Sequence, residues 1–130
     1  MPYLLDVALP NLQAGADEAR QPRPPLIAHV RVALSDDPAA VRAAAQGALD
    51  YFRTLPAYVL MFTAAGLFDG PEEEAAARLA TLLIVAGDEP TVAARLRAVL
   101  ATEIDELLVT TLPVADEATE RGLIRLIGKL

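Results

Sequence analysis

The run PPLIAHVRVALSDDPAAV changes its hydrophobic period partway along, and the change marks a strand running into a helix. From Leu26 to Leu34 the alternation is twofold: Leu26, Ala28, Val30, Val32 and Leu34 share one face, and Ile27, His29, Arg31 and Ala33 the other. One face is wholly apolar. The other carries two polar groups in an otherwise hydrophobic strand, as expected where helices cover one side and the second side looks into a cleft or barrel. Ser35, Asp36 and Asp37 followed by Pro38 make a helix start, with oxygen-bearing caps, acids at the positive end of the dipole and proline at the first helical position.

The helical period then persists through Val41, Ala45, Ala48, Leu49 and Phe52, breaks near Pro56, and resumes with Tyr58, Met61 and Phe62 as far as Gly66. FDGP is a turn. Glu72 to Ala86 reads as a further helix with Leu79, Leu82 and Leu83 inward and Gly87 as its terminator. Asp88 caps the next, in which Val92, Leu96, Val99 and Leu100 form an apolar stripe. A second strand spans 106–114, and a closing helix over 116–130 turns Leu123, Leu126, Ile127 and Leu130 inward and Arg121, Arg125 and Lys129 outward. Before the first strand, Leu5, Leu9, Leu12 and Ala16 predict a helix over 1–20 that Pro10 must kink or delay, followed by the stiff connector RQPRPP.

The predicted order is therefore helix 1–20, strand 26–34, a helical stretch 37–86, helix 88–102, strand 106–114 and helix 116–130, in a single domain. Strands separated by helices predict an α/β fold with parallel pairing through crossovers. Two parallel strands make a poor sheet, and no internal repeat supplies more, so the missing strands are expected from another chain, another copy or an N-terminal portion.

Composition narrows the function classes. Apolar residues make up 54% of the 130 residues and mean hydropathy is +0.35, high enough to suggest a covered apolar surface. No apolar run approaches the roughly 18 residues of a membrane span, and the N-terminus, with Asp6 and no small-residue cleavage site, lacks the form of a secretory signal, which leads to a cytoplasmic expectation. A net charge of −7, with ten arginines and one lysine dispersed along the chain, argues against nucleic acid. One histidine and no cysteine leave no material for a transition-metal site, a thiolate nucleophile or a conventional triad. Asp36 with Asp37, and Glu72 to Glu74, are accounted for by helix starts and receive no chemistry.

The run PRPPLIAHVRVALSDDPAAVRAAAQGALDYFRTLPAYVLMFTAAGL, taken with GDEPTVAARLRAVLATEIDELLVTTLPV, resembles the C-terminal part of the bacterial luciferase-like oxidoreductases, especially those using the deazaflavin coenzyme F-420. The resemblance covers the chain from about Arg20 onward. It implies a section of a (β/α)8 TIM barrel, with 26–34 as the seventh strand, 106–114 as the eighth, and 51–68 as an insertion beside the active site. A full barrel needs about 250 residues, so the chain is expected to be incomplete and inactive alone. The implied function is the C-terminal portion of a flavin (FMN) or F-420-dependent oxidoreductase or monooxygenase.

Under that resemblance His29 and Arg31 point inward, and Arg31, nearer the catalytic end, pairs with a phosphate or carboxylate of cofactor or substrate. Thr110 and Thr111, near the end of the last strand, offer hydroxyls to the same ligand. Tyr51, Tyr58 and Phe62 wall an apolar substrate pocket. Each group has a plainer reading: a packed barrel interior for His29 and Arg31, strand propensity for the threonines, and ordinary core for the aromatic stripe. The alternative function is a non-catalytic α/β module that buries its open strand edges as a homodimer or against a partner subunit.

Overall fold

The computed structural model describes residues 3–114 and 116–130, without the side chains of 48, 49, 72, 73 and 76. The expected contributions of Ala48, Leu49, Glu72 and Glu73 therefore lie outside the described residues. A π-helical turn, Leu4–Ala8, leads into α1, Leu9–Ala19. Pro10 thus follows directly on the π-helical turn, within one continuous helical stretch. The connector reaches β1, Ile27–Leu34, and then α2, Pro38–Thr54, α3, Pro56–Ala64, and α4, Glu72–Leu83, follow. β2, Ile84–Gly87, α5, Glu89–Leu100, β3, Glu106–Thr111, and α6, Glu117–Ile127, complete the order.

Local chemistry sets most of these boundaries. The Asp37 carboxylate accepts from Ala39 N–H at 2.9 Å and Ala40 N–H at 3.2 Å, with Pro38 in the first turn. Asp88 and Asp116 cap α5 and α6 in the same way, each accepting a backbone N–H three residues on at 2.9 Å. Leu55, extended ahead of Pro56, separates α2 from α3.

The expected helix over Glu72 to Ala86 is shorter than its periodicity suggests. It ends at Leu83, and Ile84–Gly87 forms a strand. Ile84 and Val85 are β-branched, and both are buried, at 4% exposure each. The sheet accordingly has three parallel strands rather than two, and the stretch 37–86 is not wholly helical.

The strand order is β2-β1-β3, with β1 central. Arg31 to Leu34 pair with Ile84 to Gly87, and Ile27 to Val32 with Glu106 to Thr111. The crossover from β1 to β2 steps one way across the sheet and that from β2 to β3 steps back. Crossovers of one hand must then lie on opposite faces, and they do. On one face Ala33, Ile84 and Leu112 meet Val41, Ala45, Phe62 and Leu79 of α2, α3 and α4. On the other Val30, Val32 and Val85 meet Val92 and Leu96 of α5 and Leu123 of α6.

The coverage is unequal. The α5–α6 layer runs beneath β1, where Ala28, Val30 and Val32 are buried. The α2–α4 layer covers only the C-terminal half of the opposite face, leaving Ile27 50% and Leu108 54% exposed. Asp105 ties down this open end: it forms an ion pair with Arg23 at 2.8 Å and accepts Leu26 N–H at 2.7 Å.

No helix of the described residues is long and apolar enough to cross a membrane. Leu96, fully buried between α5 and the sheet, is a direct probe of the packing. Leu96→Ala is expected to lower unfolding free energy by about 2–5 kcal/mol in urea denaturation, whereas Leu60→Ala, at a 73% exposed position, changes it little.

Candidate functional site

The uncovered half of the sheet carries the polar residues singled out from the strand pattern. Register places His29 beside Leu108 and Arg31 beside Thr110, all on the partly open face. His29 Nε2 and Thr110 Oγ1 lie 2.8 Å apart in a hydrogen bond diagonal to that register. Thr111 follows the alternation onto the opposite, α5–α6 side, half-buried, and does not join them. The threonine pair is therefore split between two faces.

Arg31 is half-buried and has no ion pair among the described residues. Its guanidinium carbon lies 5.3 Å from the ring centroid of Phe52, a cation–π contact, and its Nε is buried without an acceptor. The resemblance pairs this arginine with a phosphate or carboxylate of a ligand; among the described residues it meets an aromatic face. Phe52 stacks on Tyr58 at 4.6 Å, and Tyr58 meets Phe62 at 5.7 Å. Phe62 meets Phe68 edge-on, also at 5.7 Å.

The stripe of Tyr51, Tyr58 and Phe62 is not one continuous wall. Tyr51 is 60% exposed and touches only Phe52 among these rings. Phe62 belongs to the core at 2% exposure, and Tyr58 bridges core and surface. Phe52, which links the stack to Arg31, was not singled out. Its signal was the i, i+6 relation to Tyr58 across Pro56, which reads as a helix break instead.

Beside this row lies a cleft of about 470 Å³, lined by the π-helical turn, by α3, by Leu82 and Leu83 of α4, and by Ile27 and His29 of the sheet. Tyr58 and Phe62 border it, so two of the three aromatic candidates do reach a pocket. Its N-terminal wall of Tyr3, Leu4, Asp6 and Val7 had no local sequence signal. A second depression of about 490 Å³ lies at the C-terminal ends of β1 and β2, with Arg42 and Arg95 on its walls. Among the described residues no cluster of His, Cys, Asp and Glu can hold a metal ion.

Burial, and then the positive charge of Arg31, hold the His29 imidazole below its ordinary value of 6.5. At pH 7 the ring is neutral, and its Nε2 either donates to Thr110 Oγ1 or accepts from it. As pH falls through 6.5 the unfolded chain takes up the proton before the folded one, so stability declines until the folded protein protonates as well. Urea denaturation between pH 7 and pH 5 is expected to show this decline and to lose it in His29→Gln. Arg31→Met removes the neighbouring charge and raises the His29 midpoint in an NMR titration. No family model, curated protein or solved structure matches this chain.

Proposed function

We propose that the chain is the C-terminal portion of a luciferase-like flavin or F-420-dependent oxidoreductase, completed by further β-structure and inactive alone. The observation that supports this most is the row of Arg31, His29 and Thr110 on a parallel-sheet face that the α2–α4 layer covers only in part. A barrel keeps its helices outside, and α5 and α6, which follow β2 and β3, both lie on the opposite face. The α2–α4 layer, which includes the 51–68 stretch, packs on the C-terminal half of the row's own face.

In this reading β1 and β3, hydrogen-bonded neighbours, are the seventh and eighth strands, and β2, which follows β1 in sequence but pairs on its other side, has no place in that assignment. The residues suit such a ligand. Arg31 has an unpartnered buried Nε to offer a phosphate or carboxylate, and Thr110, oriented by His29, offers a hydroxyl to a ring edge. The cofactor, when bound, supplies hydride transfer; this portion binds and orients it.

The product of the complete reading frame that contains this chain, titrated with FMN and with F-420, is expected to bind one of them saturably. Arg31→Ala should weaken that binding about tenfold, the value of one charge-assisted contact of about 1.4 kcal/mol. A folded product that binds neither cofactor overturns the reading.

A second reading is favoured by the sheet edges. Ser35 N–H donates to Gly87 O at 3.1 Å, which turns Ile84 O toward the free edge of β2, where Arg95 approaches it at 3.4 Å. Among the described residues the β3 edge has no such guard: Leu112 N–H donates inward to Val32 O, so Leu107, Val109 and Thr111 present their amides outward. A non-catalytic module that pairs through β3 with a second copy or a partner would use this edge. Light scattering is expected to show a dimer that Val109→Pro converts to monomer; a monomeric wild type removes self-pairing.

A further inference from the structure

The 470 Å³ cleft is of the size that takes a small molecule, and its lining defines the kind. Leu4, Val7, Ile27, Met61, Leu82 and Leu83 give it hydrocarbon walls, and three of these remain substantially exposed: Ile27 at 50%, Val7 at 39% and Leu82 at 39%. Apolar surface left wet inside a concavity favours a ligand that displaces the water.

The charged groups exclude both kinds of ion. Asp6 is the carboxylate on the wall and no arginine or lysine lines the cleft, so an anion meets repulsion without a counter-charge. A cation would give up its hydration against leucine and isoleucine for one exposed carboxylate. Three neutral hydrogen-bonding side chains remain. His29 has Nε2 occupied by Thr110, which leaves Nδ1 to a ligand, and the hydroxyls of Tyr3 and Tyr58 have no hydrogen bond among the described residues.

We propose that this cleft binds an uncharged, mostly hydrocarbon small molecule whose single hydroxyl or carbonyl group hydrogen-bonds His29. The inference does not rest on the oxidoreductase reading. That reading uses His29 only to orient Thr110, whereas this cleft meets His29 beside Ile27, toward the N-terminal end of β1.

The test needs neither flavin nor F-420. The uncharged naphthyl ketone prodan, titrated into the chain, is expected to show a saturable one-to-one blue shift in fluorescence and to move the His29 imidazole signals in NMR. Ala64→Trp, which fills the cleft from α3, and Val7→Asp, which charges the opposite wall, should each weaken binding at least tenfold. Leu60→Ser, at an exposed position outside the cleft, should leave it unchanged. The proposal is overturned by a folded wild type that does not saturate, by binding that survives in folded Ala64→Trp and Val7→Asp alike, by equal loss in Leu60→Ser, or by saturation that leaves His29 unmoved.

Discussion

Both helix layers of this protein are attached to one strand. β1 pairs on its two sides with β2 and β3 and meets apolar side chains above and below, so its alternate residues serve two different interiors. Val30 and Val32 serve the α5–α6 layer and Ala33 the α2–α4 layer. The constraint is steric as well as hydrophobic. Ala33 is fully buried where the α2–α4 layer closes in, and its small size lets Val41, Ala45 and Leu79 approach the sheet.

The same strand carries the polar groups because one layer ends early. Past Ala33, toward the start of β1, the α2–α4 layer retreats, and Arg31, His29 and Ile27 emerge in turn from half-buried to exposed. Arg31 stands at the boundary. Its guanidinium lies against the Phe52 ring, and its charge adds to burial in opposing protonation of His29. A gradient of burial along one strand thus gives a cation and a neutral imidazole adjacent positions on one face.

Much of this was legible in the chain. The twofold alternation of Leu26 to Leu34 located β1 and its polar face, and the acid-proline start at Asp37 and the cap at Asp88 located α2 and α5. The α6 pattern placed Leu123 inward and Arg121, Arg125 and Lys129 outward. β2 was hidden because Ile84 to Gly87 continue an apolar helix without a break, and four residues carry no readable period. The cleft was hidden for a different reason. Its walls come from Tyr3, Met61 and Leu83, which share no local pattern, and only the tertiary arrangement brings them together. Leu100, placed in the α5 stripe by spacing, is 44% exposed, since that helix runs past the edge of what it covers.

The ion pair between Arg23 and Asp105 joins residues 82 positions apart. Every β1–β3 contact shares that long separation, which makes the sheet slow to assemble compared with its helices. During synthesis at about 5–20 residues per second, β1 leaves the ribosome on the order of ten seconds before the strand that completes its second side. Throughout that interval its edge is an exposed, β-branched template, and the helices of α2 to α4 are the first cover it receives. Chaperone dependence in the cell would therefore be governed by the order in which the chain emerges, and much less by the stability of the finished fold.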